Sequence, residues 1–251
     1  TRKESSAASD VYKRQVLGVA VRLKEIENQL NGRVRIIFQA AEELGYGAVK
    51  VANTGAIDGA KAVLGYHNYP TLDIGEFAVK SGVITSSVDR FEFKIKGKGA
   101  HAAKPEQGKD PMIVLGQLIN SVQSIVSRNL SAFDNAVVTI GEVSCGNTWN
   151  VIADEAYVQG TGRSFDEDKR VLIEERLRAI GSGLAEVFGV DIETSYHRLP
   201  GAVVNDEQLT NDAIAIAKEV GYNVSVMDKP LTIGEDFSGF SNKYPSVFVF
   251  I

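Results

Sequence analysis

Apolar residues recur at helical spacing over residues 16–30, where Val19, Leu23, Ile26 and Leu30 share a face and Asn31-Gly32 supplies a stop. Residues 33–39 hold Val34, Ile36, Ile37 and Phe38 in a short run that reads as a buried strand. A helix is expected over 46–54, ended by Gly55, and a second buried strand over 61–65. Strand, helix, strand in this order predicts an α/β layer with a mainly parallel sheet.

From residue 87 the rhythm changes. Residues 87–96 alternate, with Phe91, Phe93 and Ile95 on one face. Residues 110–128 carry a helical stripe of Leu115, Leu118, Val122 and Ile125. Strands are expected over 135–143 and 155–165, a long helix over 166–189 and a strand over 191–197. The sum is a βαββαβ, ferredoxin-like unit. After Pro200-Gly201 the first style returns, with a helix over 205–220 and short strands over 221–226 and 246–251. Two units follow: an α/β unit split between residues 16–85 and 200–251, and an inserted α+β unit over 86–199.

The ends of the chain break the pattern. Residues 1–15 are polar, without a period, and too poor in apolar residues for a signal peptide. They are expected to be disordered, or foreign sequence joined to a truncated domain. Residues 246–251 look like a buried strand, and natural domains seldom stop inside one.

Composition narrows the classes. The 251 residues suffice for a buried core, and 44% hydrophobic with 24% charged content is ordinary for a globular protein. A net charge of −5 with no basic run argues against nucleic acid as a partner. No apolar run approaches a membrane span. The single Cys145 precludes an internal disulfide framework and suits a reducing cytoplasm.

Candidate chemistry starts at Gln39-Ala-Ala-Glu42-Glu43, two adjacent carboxylates where a strand runs out. They are either solvated acids opening a helix or a site at the carboxyl end of a sheet strand. In the second case one carboxylate ligates a metal and the other takes a proton from water, since a carboxylate tied to a cation is a poor base. His67, in Gly65-Tyr-His67-Asn-Tyr-Pro70, ends the next expected strand and is either a structural histidine or a ligand. His101 lies in the glycine-rich stretch Lys96-Gly-Lys-Gly-Ala-His101, which is either a flexible connection or a turn presenting an imidazole to a developing oxyanion. Asn150 and Arg163 are polar residues of the second unit; a guanidinium can clamp a carboxylate with two hydrogen bonds. Gly234-Glu-Asp-Phe237 reads equally as a helix cap or a site loop. Cys145 has no His nearby in sequence, and no Gly-x-Ser-x-Gly elbow exists.

Taken together, these strings resemble the metal-dependent aminoacylase and carboxypeptidase family, in the branch of N-acyl-amino-acid amidohydrolases, hippurate hydrolases and indole-acetyl-amino-acid hydrolases. The resemblance rests on Phe38-Gln-Ala-Ala-Glu-Glu43, Gly65-Tyr-His67-Asn-Tyr-Pro70, Gly97-Lys-Gly-Ala-His101-Ala-Ala-Lys-Pro105, Asp110-Pro111, Gln123-Ser-Ile-Val-Ser-Arg128, Asn150-Val-Ile, Gly160-Thr-Gly-Arg163 and Gly234-Glu-Asp-Phe237. It implies an α/β catalytic domain with an inserted lid that mediates homodimerisation. It implies Glu42 as general base, Glu43 and His67 as metal ligands, and His101 stabilising the tetrahedral intermediate in the partner's site. Asn150 and Arg163 would grip the carboxylate of a small N-acyl amino acid or short peptide. The implied cofactor is a divalent metal, zinc, manganese or similar, two ions per full-length site. The branch also carries a Cys-Gly-His-Asp motif ahead of the helix that starts at Val16, and a further metal-binding His beyond residue 251. With those missing, the chain as written is expected to be an inactive fragment of an enzyme. The alternative is a non-catalytic dimerisation or ligand-binding module that keeps the fold without the metal.

Overall fold

The computed structural model describes residues 2–251, with side chains described from Arg14 onward. In chain order its elements are α1 (Arg2–Glu25), α2 (Gly47–Asn53), β1 (Val63–His67), β2 (Glu76–Val79), β3 (Gly82–Val83), β4 (Asp89–Lys96) and β5 (Ala100–His101). Next come α3 (Pro111–Ser124), β6 (Ala136–Cys145), β7 (Val151–Ile152), β8 (Glu155–Ser164), α4 (Glu167–Phe188) and β9 (Asp191–Arg198). The chain closes with β10 (Val204–Asn205), α5 (Glu207–Glu219), β11 (Asn223–Val226), α6 (Ser238–Ser241) and β12 (Ser246–Phe250). The helix expected over 16–30 occupies the second half of α1 and ends in a 3₁₀ turn, Glu27–Gln29. The expectation of a disordered head over 1–15 falls largely on residues whose side chains lie outside this description.

One sheet has the order β1-β12-β2-β11. β1 and β12 pair in parallel, as do β2 and β11, while β12 and β2 meet antiparallel at Phe250 and Ala78. All five residues of β12 are buried because the strand is covered on both faces. On one face Phe237, Phe240, Phe248 and Phe250 pack with Ala48 of α2. On the other, Val79, Val247 and Val249 meet Leu209, Ala213 and Ile214 of α5.

The second sheet lies between these pieces in the chain. It is antiparallel with the order β6-β8-β4-β9, and α3 and α4 complete the βαββαβ sequence. β4 alternates as read: Phe91, Phe93 and Ile95 are fully buried under Val114, Leu118 and Val122 of α3 and Ile173 and Leu177 of α4. The helices start where side chains satisfy their first N–H groups. Asp110 accepts from Met112 N ahead of Pro111, and Asp166 accepts from Asp168 N and Lys169 N. α3 then runs into a π-helical turn, Ile125–Asn129.

Two connections join the sheets and run side by side. β3 pairs with β10, Ile84 N bonds Val203 O at 2.9 Å, and Val88 N bonds Pro200 O at 2.8 Å. At their root Arg170 grips Asp89 through Nε and Nη2, Nη2 also donates to Leu199 O, and Tyr196 OH donates to Asp89 Oδ2 at 2.9 Å.

One expectation fails. Residues 33–39 form no strand: β1 is an edge of its sheet, and no ladder joins it to this run. Ile37 packs on the core, but Val34 and Phe38 are 53% and 57% exposed. An apolar run becomes a strand only where a partner edge accepts its hydrogen bonds, and local pattern does not supply one.

Candidate active site

The acidic pair stands on a sharp turn. Ala41 adopts φ 63°, ψ 31°, a left-handed conformation rare for a residue with a side chain, and Glu42–Leu44 follow as a 3₁₀ turn. α2 then starts at Gly47, which has no room for a side chain: a Cβ there would lie 2.0 Å from Ala40 O and 2.6 Å from Gln39 Nε2. Past that gap Gln39 Nε2 donates to both oxygens of Asp236, at 2.8 and 2.7 Å, and Ala48 N donates to Oδ2 at 3.0 Å. Asp236 therefore ties together the residues on either side of Glu42-Glu43.

Glu42, Glu235 and Asp236 form a cluster in which one carboxylate oxygen from each lies within 4.8 Å of the other two. Glu235 and Asp236 are buried and Glu42 is partly so. Burial, then the charges of Asp236 and Glu43, push the Glu42 carboxyl up to about 7. Burial and the Glu42 charge push Glu235 up to about 8, against the Phe237 N–H that its Oε1 accepts. Burial also raises Asp236, opposed first by the Gln39 hydrogen bond. A divalent cation beside these carboxyls would relieve both their desolvation and their mutual repulsion, and a Glu42 not itself bound to it stays available as a base.

His67 ends β1, partly buried, with its ring 6.5 Å from that of Phe250. Its Nδ1 lies 2.7 Å from Asn68 O. A carbonyl only accepts, so Nδ1 carries the proton and the neutral ring keeps its lone pair on Nε2, the tautomer a metal ligand needs. Glu43 and His67 are not members of the carboxylate triplet.

His101 shows the opposite tautomer. Ala103 N donates to its Nδ1 at 3.0 Å, which places the proton of the neutral ring on Nε2 as a donor. The surrounding stretch is not a loose connection. β5 pairs with β7, Lys98 bridges Lys109, and Gly97 N bonds Asp154 O at 2.8 Å. Ala102 N bonds Asn150 O at 3.1 Å, so the fold brings His101 and Asn150 together. A cleft of about 820 Å³ opens beside them between Lys94, Cys145, Asn147, Ile152 and Tyr157, and the carboxylate cluster does not line it.

Arg163 sits on β8, yet it faces the acidic loop: a Cβ on Gly234 would lie 3.4 Å from its Nη1. Burial lowers the pKa of the guanidinium, against the pull of the Asp89 charge. Among the described residues its guanidinium makes no hydrogen bond, an arrangement suited to an incoming anion. Sequence reading left Gly234-Glu-Asp-Phe237 undecided. In the structure the stretch leads into α6, with Glu235 Oε1 accepting from Phe237 N, while Glu235 lies in the carboxylate cluster and Asp236 clasps Gln39 and Ala48. The paired acidic residues beside a glycine were the one available signal.

A carboxylate cluster, an imidazole at the end of a sheet strand with its lone pair on Nε2 and a βαββαβ unit between the pieces of an α/β unit are features of amide-cleaving metallohydrolases. The chain belongs to peptidase family M20/M25/M40, whose pattern matches residues 8–251. It is 40% identical over 242 residues to an N-acetylcysteine deacetylase of Bacillus subtilis (strain 168), covering 96% of this chain and 63% of that protein. A second Bacillus subtilis protein, an N-acetyl-L-cysteine deacetylase, is 40% identical over 245 residues, covering 96% and 58%. The crystal structure of Bacillus subtilis YXEP protein, a dinuclear metal binding peptidase from the M20 family, superposes with a TM-score of 0.77 at 36% identity, covering 94% of this chain and 60% of that one. The chain thus spans about six-tenths of the length of the curated relatives it matches.

Proposed function

We propose that the protein hydrolyses the amide bond of N-acyl amino acids, with Glu42 as the proton-transferring group. The observation that carries this is the placement of Glu42, partly buried next to Glu43 and with a carboxylate oxygen within 4.8 Å of one from Glu235 and one from Asp236, where burial and the Asp236 charge push its carboxyl up to about 7. A group that titrates near the working pH can both accept and return a proton. Glu42 takes a proton from the attacking water onto its carboxylate and delivers it to the leaving nitrogen. Held by Glu43 and by Nε2 of His67, divalent cations such as zinc or manganese would supply polarisation of the carbonyl and acidification of water. His101 Nε2–H donates to the developing oxyanion, and Asn150 and Arg163 grip the substrate carboxylate.

Residues 86–199 serve as a lid and as the interface of a homodimer, in which His101 acts on the partner's site. The ten-residue β6 at the sheet edge supports this, with Val137, Val143 and Trp149 exposed near it. A cytoplasmic setting agrees with the single thiol. Among the described residues no helix is long and apolar enough to cross a membrane.

The test is a chimera in which residues 16–251 replace the matching span of the Bacillus subtilis N-acetylcysteine deacetylase. Metal-dependent deacetylation by the folded chimera, lost roughly 10²–10⁴-fold in Glu42→Gln, is the expected result. A chimera that folds and binds metal but does not hydrolyse, or one indifferent to Glu42→Gln, contradicts the reading and favours a non-catalytic module.

A further inference from the structure

The linker between the sheets is fastened on both sides. Toward the second sheet, Ser87 N bonds Ser164 O at 2.7 Å, and Ser164 N bonds Ser87 Oγ at 3.1 Å. Toward the acidic loop, Ser86 N bonds Leu231 O and Ile233 O at 3.0 and 3.1 Å, and Leu231 N bonds Ile84 O at 2.9 Å. Thr85, Ser86 and Ser87 are all buried, so these bonds have no competition from water. Val88, the next residue, presses directly on Gly234. A Cβ on Gly234 would lie 2.0 Å from Val88 Cγ2 and 3.4 Å from Val88 Cβ. Glu235 and Asp236 follow Gly234 immediately, and Asp236 holds Gln39 and Ala48 around Glu42-Glu43.

We infer that Val88 is a positioning residue for the acidic turn. Its contact with Gly234 sets where Glu235 and Asp236 lie, and through Asp236 it sets where Glu42 and Glu43 lie. Arg163, next to Ser164 on β8, borders the same glycine. The seating of the second sheet on its linker is thereby coupled to the placement of the carboxylates. A rotation of that sheet moves the anion-binding guanidinium and the acids together rather than separately. The catalytic meaning of this coupling rests on the hydrolase reading above; the coupling itself does not.

The experiment is amide hydrogen exchange at Ala48, whose N–H donates to Asp236 Oδ2. In Gly234→Ala the new methyl has no space beside Val88, and Ala48 exchange is expected to accelerate roughly tenfold or more. The Phe93 and Val158 amides of the second sheet should be unchanged. The double variant Val88→Ala/Gly234→Ala removes the offending Cγ2 and should return Ala48 toward its original rate. If Gly234→Ala does not fold, the double variant is expected to fold and show the original protection. Unchanged Ala48 exchange in a folded Gly234→Ala, or no rescue by Val88→Ala, overturns the inference. Neither readout uses turnover or metal, so failure here leaves the hydrolase reading standing, and an inactive chimera leaves this coupling standing.

Discussion

Ala41 carries the most visible local cost in the molecule. It is the only non-glycine residue with positive φ among the described residues, and it directly precedes Glu42. A side chain in that region costs about 1–2 kcal/mol, and the hydrogen bonds of Asp236 to both flanks of the turn hold it there. Ala41→Gly relieves the strain while adding entropy to the unfolded chain. The expected net gain is about 0.5–1 kcal/mol in urea unfolding; a loss would mean that Ala41 is not strained. At this scale the sequence showed only half of the site. Glu42 and Glu43 were visible because they are adjacent and stand ahead of His67. Their partners were not, because Gln39 and Asp236 are 197 residues apart and nothing local links them. The tautomers of His67 and His101 were equally hidden, since each is set by a neighbouring backbone group rather than by residue type.

Elements were legible where periodicity and caps agreed. α4 was readable from its stripe, its Asp166 cap and the following Gly189 at φ 61°. Strands were legible where alternation met a covered face, as in β4. Short β2, at Glu76–Val79, was missed although it is central to its sheet, because four residues give too little pattern to read. Residues 33–39 were misread for the opposite reason: a strong local pattern found no partner. The join between the units depends on tertiary chemistry of the same hidden kind. Asp89 is 1% exposed and receives Arg170 through two guanidinium nitrogens and Tyr196 through its hydroxyl. Truncating Asp89 leaves the buried Arg170 charge with only the exposed Glu167 at 3.5 Å, so Asp89→Ala should lower stability by about 3–5 kcal/mol in urea unfolding. Asp89→Ala combined with Arg170→Met should recover much of that loss, because no lone charge then remains. A single variant that costs less than about 1 kcal/mol would show that the pair is solvated rather than buried.

Across the whole molecule, the acidic cluster exists only because the fold brings residue 42 to residues 235 and 236. An unfolded chain leaves these carboxyls at ordinary values near 4.5, whereas the folded protein holds Glu42 at about 7 and Glu235 at about 8. The folded state therefore binds more protons between those limits. The contribution of these two carboxyls to stability is fully present below the unfolded value and is lost as pH rises from about 4.5 through about 8, the direction required when a carboxyl is raised by folding. The catalytic reading and this pH dependence share one cause, burial of Glu42 beside Asp236. The most direct measurement is the titration of the Glu42 side-chain carboxyl in the folded, metal-free protein by carbon NMR, assigned with Glu42→Gln. The account predicts a midpoint near 7. A midpoint at the ordinary 4.5 would contradict it, because Glu42 would then be a solvated surface acid with no proton to exchange at neutral pH.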